Sequence, residues 1–175
     1  MKYLVVSDIH GALDSTEFLL DVFVKESIDK ILLLGDVLYH GPRNDLPNSY
    51  FPKKVIERLN QYKDKILCIK GNCDAEVDQM VLNFDIIDSY DGILNDISVH
   101  LEHGHHLDEY KGSNQLVLFG HTHIPANYDK DNIHYINPGS ITIPKENSKR
   151  SFIIWEDHTL SFYDMDMNLY DSYKY

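Results

Sequence analysis

Five short clusters of polar residues in this chain each follow a run of apolar residues directly. They offer carboxylate, amide and imidazole groups, which proteins use as ligands for divalent transition metals. The candidate ligands are Asp8, His10, Asp36, Asn72, His103, His121 and His123. Seven such groups exceed what one tetrahedral zinc ion takes, and they suit two ions that share a carboxylate, as in two-metal phosphoryl-transfer sites. The residue types therefore predict a dinuclear metal site.

The apolar runs before the clusters predict strands of a parallel sheet. Residues 3–6, 30–34 and 65–69 are rich in Leu, Ile and Val, and residues 13–27 have the apolar spacing of a helix. Strand, helix and strand in this order form a βαβ unit, whose parallel strands end at the same edge of the sheet. Ligands of open α/β sheets bind outside these carboxyl ends. We therefore expect clusters that are distant in sequence to converge there.

The rest of the chain is predicted to alternate between loops, one further helix and several strands. The loop covers residues 39–50, and a helix over residues 52–59 opens on Pro52. Further strands are predicted over residues 86–94, 97–101, 115–119, 133–136, 140–143, 152–155 and 159–164. Turn residues separate the last of these runs, so short antiparallel hairpins are expected. We expect residues 1–175 to form a single domain.

Composition restricts the classes of partner. Hydrophobic residues make up 43% of the chain and charged residues 25%, as in ordinary globular proteins. The formal net charge of −12 argues against an extended nucleic-acid partner and an anionic membrane surface. The only cysteines, Cys68 and Cys73, are too few for a disulfide framework and fit a reducing compartment. With no signal-peptide or membrane-span pattern near the start, we expect a cytoplasmic protein.

Taken together, the motifs resemble those of a known family. The set consists of Asp8-Ile9-His10, Gly35-Asp36, Gly71-Asn72-Cys73-Asp74, His103-Gly104-His105 and Gly120-His121-Thr122-His123. It resembles the calcineurin-like metallophosphoesterases, and residues 35–44, 71–80 and 137–140 resemble their small bacterial YfcE-type phosphodiesterases. The resemblance spans nearly the whole chain. It implies an α/β fold, a four-layer α/β/β/α sandwich of two mixed β-sheets, and hydrolysis of phosphodiester bonds.

The resemblance also implies how the ligands divide between two ions. The implied ligands are Asp8, His10 and His123 for the first ion, Asn72, His103 and His121 for the second, and Asp36 as the bridge. The family pattern favours His103 over His105, and the sequence alone leaves the reverse open. The expected ion is Mn²⁺, with Zn²⁺, Fe²⁺, Ni²⁺, Co²⁺ and Mg²⁺ as alternatives.

The mechanism implied for such a site is in-line attack on phosphorus by a metal-bridging hydroxide. Two cations lower the pKa of the water and neutralise the phosphoryl oxygens. The catalytic candidates are Asp36, Asn72, Cys73, His103 and His105. Many relatives carry a His where Cys73 stands, and a thiol with an ordinary pKa near ~8.5 is a poorer acid than imidazole at neutral pH. We therefore expect a preference for phosphodiesters with good leaving groups, with His105 or His40 as alternative proton donors.

Three residues near the ligands are candidates for supporting roles. Asp74 is a candidate for orienting one ligand through a ring nitrogen. His40 and Arg43 are candidates for contact with the substrate phosphate.

Two other functions are alternatives to a phosphodiesterase that acts on a small substrate. The same fold serves as a non-catalytic protein-interaction subunit in retromer, and fold does not fix function. Such scaffolds tend to lose metal ligands, so the complete set here favours an enzyme. A nuclease for long nucleic acids would require a basic surface, which this acidic chain lacks. The relatives suggest a homo-oligomer, a dimer or a tetramer.

Overall fold

The computed structural model describes residues 1–175 and contains three helices and twelve strands. The helices are α1 (Leu13–Lys25), α2 (Pro52–Asn60) and α3 (Glu76–Val81), with 3₁₀ turns at Lys63–Lys65 and Leu107–Glu109. The strands are β1 (Lys2–Val6), β2 (Lys30–Leu33), β3 (Ile66–Ile69), β4 (Ile86–Ile87), β5 (Tyr90–Leu94), β6 (Ile97–Leu101), β7 (Leu116–Leu118), β8 (Ala126–Lys130), β9 (Ile133–Asn137), β10 (Ser151–Glu156), β11 (Thr159–Asp164) and β12 (Leu169–Lys174).

The strands form two mixed sheets. The first has seven strands in the order β12-β11-β10-β1-β2-β3-β4, and the second has five in the order β5-β6-β7-β9-β8. In the first sheet β1 to β4 are parallel and β10 to β12 antiparallel, whereas the second combines two antiparallel pairs with a parallel centre. The prediction of an α/β fold with two mixed sheets is confirmed.

Strand β1 shows why its sequence is a continuous apolar run. Leu4 and Val6 point toward α1 and α2 in one core, whereas Tyr3 and Val5 belong to the core between the two sheets. All four side chains are buried. A strand covered on both faces needs apolar residues at every position rather than at alternate ones.

The outer face of the five-stranded sheet is covered by fewer residues than the outer face of the seven-stranded sheet. Val117, Phe119 and Tyr135 form a small cluster there, against which Leu107 and Tyr110 pack. Leu107 lies in a 3₁₀ turn rather than in an α-helix. The fourth layer is therefore a loop with one short turn, and this loop directly follows His103.

Two predicted strands were wrong. Residues 86–94 form two strands in different sheets, because the chain crosses from β4 to β5 at Asp88 and Ser89. Residues 140–143 form no strand, because the Ser140 hydroxyl accepts the N–H groups of Thr142 and Ile143 and holds a compact turn.

Other boundaries agree within a few residues. The first helix ends at Lys25 instead of residue 27, where Ser27 has φ +52°. Of the expected hairpins, the one that joins residues 152–155 to 159–164 is present as β10 and β11, and two further hairpins join β8 to β9 and β11 to β12. Helix α3 and strand β8 were not predicted. None of the helices has both the length and the apolar character that a membrane crossing requires.

Candidate metal centre

The structure brings all seven candidate ligands to one edge of the two sheets. They lie in the loops that follow β1, β2 and β3, which are parallel to one another, and β6 and β7, which are also parallel to each other. Backbone hydrogen bonds join these loops to one another. The Asp8 N–H donates to the Gly35 carbonyl, and the Gly120 N–H donates to the His103 carbonyl. The ligands are therefore positioned by strand ends rather than by one flexible loop.

Four of the candidates form a tight, buried group. One donor atom from each of Asp8, His10, Asp36 and His123 lies within 4.8 Å of the others. Oδ1 of Asp8 is 3.2 Å from Nε2 of His123 and 3.6 Å from Nε2 of His10. This group contains every ligand that the family resemblance implies for the first ion, together with Asp36, the carboxylate expected to bridge the two ions.

The remaining candidates lie on the other side of Asp36. Its Oδ2 atom is 3.6 Å from Nε2 of His10 and 3.4 Å from Nε2 of His103. Nε2 of His103 is also 3.1 Å from Oδ1 of Asn72, and its ring centre is 5.2 Å from that of His121. One carboxylate oxygen thus faces both groups of ligands.

Three of the histidines have their tautomers set by backbone carbonyls. Nδ1 of His10 donates to Tyr39 at 2.7 Å, and Nδ1 of His103 donates to Leu34 at 2.6 Å. Nδ1 of His123 donates to the carbonyl of Ile143 at 2.7 Å. A carbonyl can only accept, so in the neutral ring each Nε2 carries a lone pair. These lone pairs point into the site.

The site therefore concentrates acceptors that only a cation can satisfy together. Nε2 of His10 and Nε2 of His123 are 3.2 Å apart. Oδ1 of Asp8 is buried beside them without a hydrogen-bond partner. Lone pairs at this spacing repel one another unless a positive charge lies among them. Imidazole, carboxylate and amide donors together fit divalent transition metals.

Five of the candidate ligands have a left-handed backbone. The residues with this conformation are Asp8 (φ +58°), His10 (+49°), Asp36 (+57°), His121 (+67°) and His123 (+61°). For a residue with a side chain this conformation costs about 1–2 kcal/mol. Asp and His tolerate it better than most residues, and such conformations concentrate at functional sites. The backbone is thus folded to aim the side chains, at a cost that the surrounding hydrogen bonds offset.

The charges in the site shift several pKa values. Burial favours neutral His103, but its hydrogen bond to Asp36 and the charges of Asp8 and Asp36 outweigh burial and raise its pKa to about 9. Burial would raise the pKa of Asp36, but the hydrogen bond and charge of His103 lower it. Burial and the charge of His103 lower the pKa of His121. In the metal-free protein His103 therefore carries a proton, and this positive charge lies in a position that also suits a metal cation.

Asp74 supports the site in a different way from the one predicted. It contacts no histidine ring and instead accepts the backbone N–H groups of Gly71, Asp36 and Val37 at 2.7–2.8 Å. The prediction that Asp74 orients a ligand ring was therefore wrong, because the backbone carbonyls of Tyr39, Leu34 and Ile143 already hold the rings. Its buried carboxylate ties the loop after β2 to the loop after β3. The N–H of Cys73 then fixes Oδ1 of Asp36 at 2.9 Å, which leaves Oδ2 facing the site.

Two supporting residues were recognised in the sequence only as part of a motif. Ser140 donates its hydroxyl to the Asp8 carbonyl, and Asn137 donates its amide to the Gly120 carbonyl. Each fixes the backbone beside a candidate ligand. Nothing in their residue types indicated this role, since both contacts reach backbone atoms 17 or more residues away. Lys145, which lines the pocket at the site, was also missed.

The other candidate residues lie in different places relative to the pocket at the site. Cys73 and Arg43 line the pocket together with Asn72. The His105 ring centre is 5.5 Å from that of His103, at the rim of the site. His40 packs between Tyr39 and Tyr50, outside this pocket.

These strand-end clusters and their acceptor-rich centre define a metal-dependent phosphoesterase type of site on a two-sheet α/β scaffold. Residues 1–159 match the calcineurin-like phosphoesterase superfamily domain. The chain belongs to this family. It is 40% identical over 166 residues to phosphodiesterase YfcE of Escherichia coli (strain K12), covering 92% of this chain and 90% of the relative.

Solved structures agree with this assignment. The phosphoesterase YfcE from E. coli superimposes with a TM-score of 0.95 and 38% identity, covering 99% of both chains. Vacuolar protein sorting 29 from Cryptosporidium parvum superimposes with a TM-score of 0.67 and 14% identity, covering 99% of this chain and 98% of its own. The second likeness shows the fold alone.

Proposed function

We propose that this protein is a dinuclear metal-dependent phosphodiesterase acting on small phosphodiesters. The observation that carries the proposal is the position of Asp36, whose Oδ2 lies between Nε2 of His10 and Nε2 of His103. A carboxylate in this position would be shared by two ions, one on the His10 side and one on the His103 side. The phosphodiesterase activity named for the E. coli relative supports the choice of reaction.

The proposed ligand sets follow the two sides of Asp36. One ion would be held by Asp8, His10 and His123, whose donor atoms already lie within 4.8 Å of one another and of Asp36. The other would be held by Asn72, His103 and His121. When bound, two such ions neutralise phosphoryl oxygens and activate a water for in-line attack. We propose Mn²⁺, the ion that the family resemblance implies, with Zn²⁺, Fe²⁺, Ni²⁺, Co²⁺ and Mg²⁺ as alternatives. Carboxylate oxygens suit Mn²⁺, and imidazoles suit Zn²⁺, Fe²⁺ and Ni²⁺.

The residues around the ions would orient them and the substrate. The carbonyls of Tyr39, Leu34 and Ile143 keep three imidazoles in the tautomer that a metal needs. The Asn72 amide nitrogen is 3.4 Å from Sγ of Cys73 and lines the pocket beside it. A phosphodiester placed there would have its alcohol next to the thiol.

Cys73 explains the proposed preference for diesters. Burial and the negative charge of Asp36 raise the pKa of its thiol to about 12. The thiol therefore keeps its proton at neutral pH and donates it poorly. A general acid works best when its pKa is close to the operating pH. Substrates whose leaving group departs without a proton should therefore react faster.

A cytosolic location is also proposed. Cys68 and Cys73 are both free thiols, one buried and one partly exposed. Free thiols persist in a reducing compartment, where structural disulfides are rare.

The alternative is a scaffold without catalytic activity. The convergence of a complete set of ligands argues against it, because a scaffold has no need for acceptors crowded at 3.2 Å. A left-handed backbone at five of the ligands is likewise a cost that a docking surface does not require. An enzyme accounts for both features.

The experiment is hydrolysis of bis(4-nitrophenyl) phosphate by metal-stripped protein into which Mn²⁺ is titrated. We expect activity to return with metal and to fall at least 100-fold in Asp36→Asn and in His103→Ala. The control is His158→Ala, in the turn between β10 and β11 at the opposite edge of the sheet, where Glu156 pairs with Lys2. No turnover with any divalent ion would refute the enzyme and favour the scaffold.

A further inference from the structure

A groove adjoins the metal centre, and neither metal binding nor attack on phosphorus uses it. The pocket at the centre is small, about 40 Å³, and is lined by Asp36 and His123 among others. The groove beside it has a volume of about 450 Å³ and runs between residues 43–49 and residues 142–145. Three residues line both spaces: Arg43, Asn44 and Lys145. A molecule bound at the metals would therefore extend into the groove.

Two cations stand where the two spaces meet. Arg43 and Lys145 are both exposed, and neither takes part in any of the ion pairs of the protein. The backbone N–H of Lys145 donates to the His123 carbonyl at 3.2 Å, so this residue is anchored to a ligand loop. On a chain of net charge −12, two unpaired cations at this junction favour an anionic phosphoryl group there.

Beyond the cations the groove is polar. Its apolar lining consists of Leu46, Pro47, Ile143 and Pro144, and no aromatic side chain is among the lining residues. The side chains of Asp45 and Asn48 make no hydrogen bond within the protein, whereas Ser49 already donates to Asp14. An amide and a carboxylate without partners are suited to the hydroxyl groups of a ligand.

We propose that the groove binds a polyhydroxylated alcohol, so that the substrate is a phosphodiester of a glycerol-like or sugar-like group. This inference rests on the proposed phosphodiesterase function and names the substrate class of that site. Arg43 and Lys145 contact the phosphoryl oxygens, while Asn48 and Asp45 bind hydroxyls of the alcohol that points away from the metals.

Two other classes of substrate fit the groove less well. A nucleoside gains about 1–3 kcal/mol per base from stacking on an aromatic side chain, and the groove has none. An acyl chain needs an apolar wall, because burial of apolar surface drives its binding. Nine of the thirteen residues that line the groove are polar or charged, so most of the lining offers an acyl chain no apolar surface.

The test uses two probes that differ only in hydroxyl groups. Glycerol 3-phosphate and propyl phosphate share a three-carbon chain and a phosphate monoester. Their dissociation constants for the Mn²⁺-loaded protein are measured by calorimetry, which does not depend on turnover. Two added hydrogen bonds of ordinary strength correspond to roughly tenfold tighter binding of the glycerol compound.

Variants then assign the contacts. Asn48→Ala is expected to reduce the tenfold preference to threefold or less, because it removes a partner of the hydroxyls. Lys145→Ala is expected to weaken both probes at least fivefold and to leave their ratio unchanged, because it acts on the phosphate. The matched control is Lys174→Ala, at the opposite edge beside Thr159, which should change neither constant.

The outcomes separate the inference from the function on which it rests. If the protein hydrolyses bis(4-nitrophenyl) phosphate but binds the two probes equally, the inference is overturned and the phosphodiesterase stands. If Asn48→Ala keeps the full preference, the groove is not the site of the alcohol. If no diester is hydrolysed, the proposed function fails and the substrate class fails with it. A tenfold preference that depends on Asn48 supports the inference.

Discussion

The rings of His10 and His123 direct Nε2 toward Nε2 across 3.2 Å, although each ring already donates its Nδ1–H to a backbone carbonyl. In its neutral form, neither ring has a proton on Nε2 that could form a hydrogen bond between the two nitrogens. The buried Oδ1 of Asp8 adds a third acceptor at 3.2 Å from His123. The arrangement is unfavourable in isolation and favourable around a cation, so the geometry itself indicates what the site binds.

Metal affinity should depend on pH through His103. Its pKa of about 9 without metal means that binding must displace a proton at neutral pH. We expect the dissociation constant of the Mn²⁺ ion that His103 would hold to fall about tenfold per pH unit between pH 7 and 8, because His103 releases one proton. Calorimetry in buffers of different ionisation enthalpy measures this proton. A dissociation constant that does not change over this range would contradict the raised pKa.

The same group should make the metal-free protein less stable in alkali. The folded pKa of His103 lies above its ordinary value of 6.5, so its contribution to stability is complete below pH 6.5 and is lost as the pH rises through about 9. Urea unfolding of stripped protein at pH 6 and pH 9.5 measures the loss. The expected result is a lower midpoint at pH 9.5, and saturating Mn²⁺ should reverse that order.

Replacement of Asp74 by Asn should weaken metal binding without touching a ligand. The Asn side chain keeps one acceptor oxygen and replaces the other with an amide nitrogen, which cannot accept. At least one of the buried N–H groups of Gly71, Asp36 and Val37 therefore loses its partner, at a cost of about 1–3 kcal/mol. We expect a lower urea midpoint and at least tenfold weaker Mn²⁺ binding. The exposed Asp85→Asn is the control. Unchanged affinity in a folded Asp74→Asn protein would show that the loops hold their positions without it.

Cys73 should matter only when the leaving group needs a proton. For a nitrophenyl leaving group we expect Cys73→Ser to change kcat less than threefold. Cys73→His should increase hydrolysis of an alkyl phosphomonoester at least tenfold, because imidazole is the better acid near pH 7. Rates for bis-aryl diester and alkyl monoester in all three proteins give the comparison. A wild-type protein that cleaves both classes with equal efficiency would contradict this account of Cys73.

The sequence predicted the parts of the fold that depend on apolar runs. Strands β1, β2 and β3 lie in continuous hydrophobic segments because both of their faces are covered, and each ends where the ligand cluster begins. The predicted strand over residues 86–94 failed because apolar periodicity does not show where a chain changes sheets. Helix α3 is only six residues long, which is too short for a helical pattern.

The sequence indicated which candidate ligands come together, but it did not indicate which residues hold them in place. An Asp or His that follows a predicted strand can be identified in the sequence. The contacts of Asp74, Asn137 and Ser140 cannot, because they are made to backbone atoms that come close only in the folded protein. Lys145 joins the pocket for the same reason. The left-handed conformation of Asp36 also follows from tertiary hydrogen bonds rather than from local residue preference.

The most direct measurement of the central claim is the number of Mn²⁺ ions bound per chain, by elemental analysis after equilibrium dialysis. The account predicts two ions in the wild type, one in His123→Ala, one in His103→Ala, and fewer than one in Asp36→Asn, whose carboxylate faces both groups of ligands. His158→Ala should retain two. A wild-type protein that binds a single ion at saturation, or one in which Asp36→Asn still binds two, would contradict the dinuclear site.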